Sequence, residues 1–208
     1  MNTVAPIEVN FDQILDVALR GVRRASMFMG FGVNSALSDA CNEYQLTQIT
    51  QIQLLPDKLS EEDLKGAKDE FRLWIEANGF RELIETFHIF LDAISLACLK
   101  FRLGKREISL GQLKAKHSDF TRQGFPAKLE TLSKKFSIAA KHRDHLESLN
   151  SARNVFTHRL SVVRRKDLNA GSNMRVSWLG SDIFIEESNG TGHPIEEVIS
   201  QKKTPNYC

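Results

Sequence analysis

The stretch from Arg81 to Leu103 constrains this chain more than any other. Leu83, Ile84, Phe87, Phe90, Leu91 and Ile94 recur at spacings of three and four, and Ala97, Cys98 and Phe101 extend the series. Together they cover much of a helix circumference. A helix that is apolar over so wide an arc must be covered from several sides, which places it at the centre of a helical bundle. The 208 residues, 41% hydrophobic and 26% charged, can bury one substantial core. That composition excludes a wholly disordered, collagen-like or disulfide-dense chain.

The remaining elements are read around this centre. Residues 7–28 carry helical periodicity through Phe11, Ile14, Leu15, Ala18, Leu19 and Val22. A short helix is expected near residues 35–44. Ser60 precedes Glu61, Glu62 and Asp63, a cap with first-turn carboxylates, so a helix is expected to run from there to a stop at Gly79. A short helix and a loop are expected over 105–125. Pro126 suits a helix first turn, and a long helix is expected over 138–163. Beyond Asp167 the pattern turns to alternation. The runs 174–179 and 182–186, joined through Gly180 and Ser181, read as a β-hairpin. The expected organisation is a helical bundle over 1–167 and a hairpin appendage with a tail over 168–208.

Cys41, Cys98 and Cys208 are odd in number and widely spaced, and read as reduced thiols. The N-terminus lacks the basic and apolar regions of a signal peptide. The most apolar stretch, Phe87 to Leu99, is broken by His88 and Asp92 and is too short and too polar to span a bilayer. A soluble, cytoplasmic protein with no membrane partner is expected.

The formal net charge of +2 conceals a segregation. Residues 1–100 carry a net −6, residues 101–166 a net +11 and residues 167–208 a net −3. Cations gathered in this way attract polyanions and contact phosphates. Lys141, Arg143, Arg159, Arg164 and Arg165 are the candidate RNA-binding residues. A basic helix that is solvated, or paired with the acidic stretch Glu61–Glu85, is the competing explanation.

Within the basic segment, Arg153-Asn154-Val155-Phe156-Thr157-His158 stands late in a helix of an all-α chain. The combination resembles the HEPN superfamily, whose ribonuclease members carry an Arg and a His with four to six residues between them, often with a polar residue after the Arg. Fixing both Asn and His lowers the chance frequency of the pattern to on the order of 1%. The resemblance covers mainly residues 60–165 and leaves 1–59 and the hairpin unexplained. Asn154 and His158 lie one turn apart on one face, with Leu149, Phe156 and Leu160 expected toward the core. Arg153 is expected nearer the apolar side, its stem reaching round the helix edge.

The resemblance implies a mainly α, HEPN-like bundle that dimerises and forms a composite cleft between two motif helices. It implies a metal-independent endoribonuclease in a toxin–antitoxin or phage-defence setting, with RNA as substrate and an antitoxin protein as partner. Arg153, Asn154 and His158 are then the catalytic residues, and no cofactor or metal is expected. His titrates near neutrality and can move protons, while Arg binds phosphate oxygens bidentately. The alternatives are a non-catalytic HEPN nucleotide- or RNA-binding module, and an all-α protein-interaction protein. His142 and His145 stand at metal-ligand spacing, but flanking Lys141 and Arg143 disfavour a cation, so a structural or RNA-facing role is expected for them.

Overall fold

The computed structural model describes residues 8–38, 60–158, 162–180, 184–186 and 192–194. The chain divides into two compact units, residues 1–176 and 177–208. The first unit holds the helices: α1 (Phe11–Leu37), α2 (Glu61–Gly104), α3 (Leu110–Thr121), α4 (Phe125–Phe136) and α5 (Arg143–His158). A single 3-10 turn follows at Arg165–Asp167. Among the described residues, no helix is long and apolar enough to cross a membrane.

Local chemistry sets most helix starts. The Asn10 carboxamide accepts from the Gln13 N–H at 2.9 Å, and the Ser60 hydroxyl accepts from the Asp63 N–H at 3.1 Å. Each satisfies one of the orphan donors of a first turn. Ser109 and Gln112 form a reciprocal capping box at the head of α3. Pro126 lies in the first turn of α4, as its fixed φ favours. Ser137, at φ +57°, turns left-handed and ends α4.

The structure replaces two expected helices by one. Gly79 does not stop a helix; α2 runs unbroken through it for 44 residues. An interior glycine costs only about 1 kcal/mol, which a long, packed helix absorbs. The reason for glycine is tertiary. A Cβ added there would lie 2.0 Å from Met29 Cγ, so the Met29 side chain of α1 already fills the space beside Gly79. Gly32 against Ile75 and Gly21 against Thr86 repeat the device along the same seam.

Other boundaries shift as well. The N-terminal helix continues to Leu37, and the short helix expected at 35–44 falls largely outside the described residues. The last long helix is shorter than expected, because residues 138–142 after the left-handed Ser137 are not helical. Residues 174–180 form no strand. Asn169 intervenes: its carboxamide donates to the Arg175 C=O at 2.9 Å and accepts from the Arg175 N–H at 2.7 Å. Backbone groups that a ladder needs are thus used locally. The antiparallel pair present is instead β1 (Phe184–Glu186) with β2 (Gly192–Pro194), in the second unit.

The core of the first unit lies where α3, α4 and α5 pack on the C-terminal half of α2. Ile84, Leu91, Phe120, Phe125, Leu129 and Leu132 are its buried members, with Leu146 and Leu149 of α5 closing one side. Burying each of the two phenylalanines contributes about 2–3 kcal/mol.

Candidate functional site

Helix α5 carries the motif and meets α2 and α4 along its length. Its inner face is Asn150, Ala152, Arg153 and Val155, all buried. This corrects the expected orientation. Phe156, expected in the core, is exposed and meets the Phe80 ring edge-on, with centroids 6.3 Å apart. The face that turns to α2 is therefore more polar than the hydrophobic pattern predicted.

Arg153 is the central element. Its side chain is 11% exposed, and its guanidinium reaches Glu85 of α2 at 3.5 Å. The Glu85 side chain is 54% exposed, so the pair sits at the rim of the α2–α5 seam with the carboxylate on the solvent side. The arginine stem is buried and the charged head is held toward the edge, as expected for a long basic side chain. Thr157, one turn on, donates its hydroxyl to the Arg153 C=O at 2.8 Å. Asn154, next in sequence, is half-buried. His158 is the last residue of α5, one turn beyond Asn154. Asn150 lies one turn before Arg153; it is buried, and its Oδ1 has no hydrogen-bond partner among the described residues.

A second charged group adjoins this one. Lys128 of α4 is 2% exposed and pairs with Asp92 of α2 at 2.7 Å, with its ammonium 5.7 Å from the centre of the Phe120 ring. Between Glu85 and Asp92 lies His88, whose ring meets Phe125 edge-on at 5.3 Å. Burial, and then the Lys128 charge, hold the His88 imidazole below its ordinary range; Arg153 acts in the same sense, while Glu85 and Asp92 oppose it. The seam thus gathers Glu85, His88 and Asp92 from α2, Lys128 from α4 and Arg153 from α5. Sequence reasoning passed over Glu85 and Lys128, and took His88 and Asp92 only as breaks in an apolar stretch. The available signal was the Glu85-x-x-His88-x-x-x-Asp92 spacing, three polar groups near one face of an otherwise apolar helix.

The expected RNA-binding cations are not alike. Arg143 is engaged, with Nε 2.7 Å from Glu147 and Nη1 2.5 Å from Glu130. Glu130 also pairs with Lys134 at 2.7 Å, and these hydrogen bonds, that from Lys134 foremost, bring its carboxyl down to about 2. Arg143 is therefore occupied by internal carboxylates. Lys141, Arg164 and Arg165 are exposed. Arg159 lies outside the described residues. The rings of His142 and His145 are 6.3 Å apart. Among the described residues, no group of three His, Cys, Asp or Glu side chains is gathered that could hold a metal ion.

Comparison with protein-family models, curated proteins and solved structures finds no match for this chain.

Proposed function

We propose that the chain is a metal-independent endoribonuclease of HEPN type, active as a homodimer, with Arg153, Asn154 and His158 as its catalytic residues. The reaction is transesterification: the ribose 2′-oxygen attacks the adjacent phosphorus and the 5′-oxygen leaves. One strand then ends in a 2′,3′-cyclic phosphate and the other in a 5′-hydroxyl. A base must take the 2′-OH proton and an acid must protonate the 5′-oxygen. His158 performs proton transfer at one of these positions. Arg153 neutralises the charge that builds on the phosphorane oxygens, and Asn154 orients the imidazole or a phosphate oxygen. A substrate lacking the 2′-OH, such as DNA, is left intact. A toxin or phage-defence setting, with an antitoxin protein as partner, belongs to the same reading.

One observation carries the proposal. The motif arginine reaches Glu85 at the solvent rim of a helix seam, where an incoming phosphate would have to replace that carboxylate as its partner. Its stem is locked by packing, which lowers the cost of ordering it around substrate.

The burial of Arg153 also favours a second reading, in which the arginine pins α5 to α2 and the module binds RNA without cutting it. Incubation of the purified protein with single-stranded RNA in EDTA separates the two. The nuclease reading expects cyclic-phosphate ends, and a loss of about 10²–10⁴ in rate for His158→Ala. Equal cleavage by both proteins would sink the assignment. Salt-sensitive binding with no cleavage by either selects the second reading.

A further inference from the structure

A groove of about 490 Å³ opens beside the crossing of α1 and α2. Grooves of this size, with a few polar groups among apolar walls, are where small groups bind. Phe28 of α1 and Trp74 of α2 form apolar walls, and Asn78, Arg81 and Glu82 supply the polar side. Trp74 is 63% exposed and Phe28 57%. The Phe71 ring stacks on Trp74, with centroids 6.4 Å apart and planes 13° apart, which restrains the indole. Asn78 donates its Nδ2 to the Trp74 C=O at 2.7 Å, so its Oδ1 is left to accept. Charge on this flank of α2 is unevenly spent. Glu82 is balanced by Arg24 and Glu85 by Arg153. Arg81 is exposed and makes no ion pair among the described residues.

The geometry points to this groove as a base-stacking subsite for single-stranded nucleic acid. One base lies on Trp74 with its edge toward Asn78 Oδ1, and Arg81 takes an adjoining phosphate. An apolar protein segment would use the walls but would leave the surplus cation and the carboxamide unanswered; a base joined to a phosphate answers both. Trp74, Asn78, Arg81 and Glu85 follow at spacings of four, three and four on one face of α2. That face leads from the groove to the rim where Glu85 meets Arg153, about 16 Å along the helix. A strand of a few nucleotides reaches from one to the other. The choice of nucleic acid rests on the RNA reading above. The subsite itself is separate from cleavage, since stacking needs no 2′-OH, and it lies within one copy of the chain.

Trp74 and Trp178 are the two tryptophans of the chain. With Trp178→Phe in place, indole fluorescence reports on Trp74 alone. Titration of the full chain with an oligothymidylate of about eight nucleotides, which has no 2′-OH to attack, is expected to quench it saturably. Anisotropy of the dye-labelled strand is expected to show roughly a 5- to 150-fold loss of affinity for Trp74→Ala, largely recovered in Trp74→Phe. Arg81→Ala is expected to weaken binding and to lower the salt slope by about 0.7. Both side chains are exposed, so helical circular dichroism is expected to stay unchanged. No quench, or affinity indifferent to Trp74→Ala, overturns the subsite even where RNA is cleaved. Thymidine monophosphate bound as tightly as the strand overturns it in favour of a free mononucleotide. A saturable quench with RNA left intact upholds the subsite and counts against the nuclease alone.

Discussion

The two sides of α2 are built on opposite plans. Toward α1 the helix presents Ile75, Gly79 and Thr86, and contact is made by seating a side chain of one helix against a glycine of the other. Toward α4 and α5 it presents Ile84 and Leu91 together with Glu85, His88 and Asp92, and contact includes charges. The first plan favours close fit, since a Cβ at Gly21, Gly32 or Gly79 would clash with a side chain of the facing helix. The second favours specificity of partner, because each buried charge tolerates one arrangement of its counterion. A helix that must present chemistry gains from the second plan, and the motif-bearing α5 lies on that side.

Five substitutions test this contrast. The largest loss is expected from Asp92→Ala, which leaves the Lys128 ammonium buried without its carboxylate. Denaturant unfolding should show a cost of about 3–5 kcal/mol. Replacing both partners by apolar residues should recover most of it, and failure to recover would mean that the pair does more than satisfy itself. Next comes Gly79→Ala, which trades helix propensity against the clash with Met29 and should lose about 1–3 kcal/mol. Gly66, on α2 with nothing within 4 Å of a built Cβ, is its control: Gly66→Ala should gain up to about 1 kcal/mol. Equal effects at the two glycines would break the account of the α1 seam.

A smaller effect is expected from pH. His88 binds its proton less readily in the folded protein than at its ordinary value of 6.5. As pH falls through that value the unfolded chain takes up a proton that the folded chain refuses, so stability drops. Unfolding midpoints compared between about pH 8 and pH 5 should fall in the wild type and fall less in His88→Gln. The smallest change is expected for Glu130→Gln, at a partly exposed ion-pair cluster. Its contribution is present above 4.5 and is lost only as pH falls toward about 2. A thermal midpoint that hardly moves in moderate salt is the result that fits.

The sequence made the helical class legible, because the width of the apolar arc over Arg81–Leu103 admits little else. It also gave the Ser60 cap and the place of Pro126 in α4, which depend on neighbours three or four residues away. What it concealed were contacts between distant segments. Gly79 carries a strong local stop signal, and its true role depends on Met29, fifty residues earlier. Asn169 reads as loop, yet its side chain takes both backbone groups of Arg175, inside the run 174–179 expected as a strand. The motif itself was found from spacing, but its anchor was not: Glu85 is one acid among many until α5 is laid on α2. The outward face of α5 was misjudged for the same reason. Phe156 looks like core when only its own helix is considered, whereas Arg153 is buried on the apolar side where its place on the helix put it.

The continuity of α2 has a consequence for how the first unit comes apart. At 1.5 Å per residue its 44 residues make one rod of about 66 Å. No break along it lets the α1 side and the α4–α5 side melt as separate blocks. Amide hydrogen exchange should therefore grade along the rod rather than step. Protection should be lowest in the acidic first turns at Glu61–Asp63, rise past Gly79, and peak around Leu91–Leu99, where the side chains are most deeply buried. A change at the α1 seam should then register as altered exchange beneath Arg153, through helix backbone and without a shared side chain.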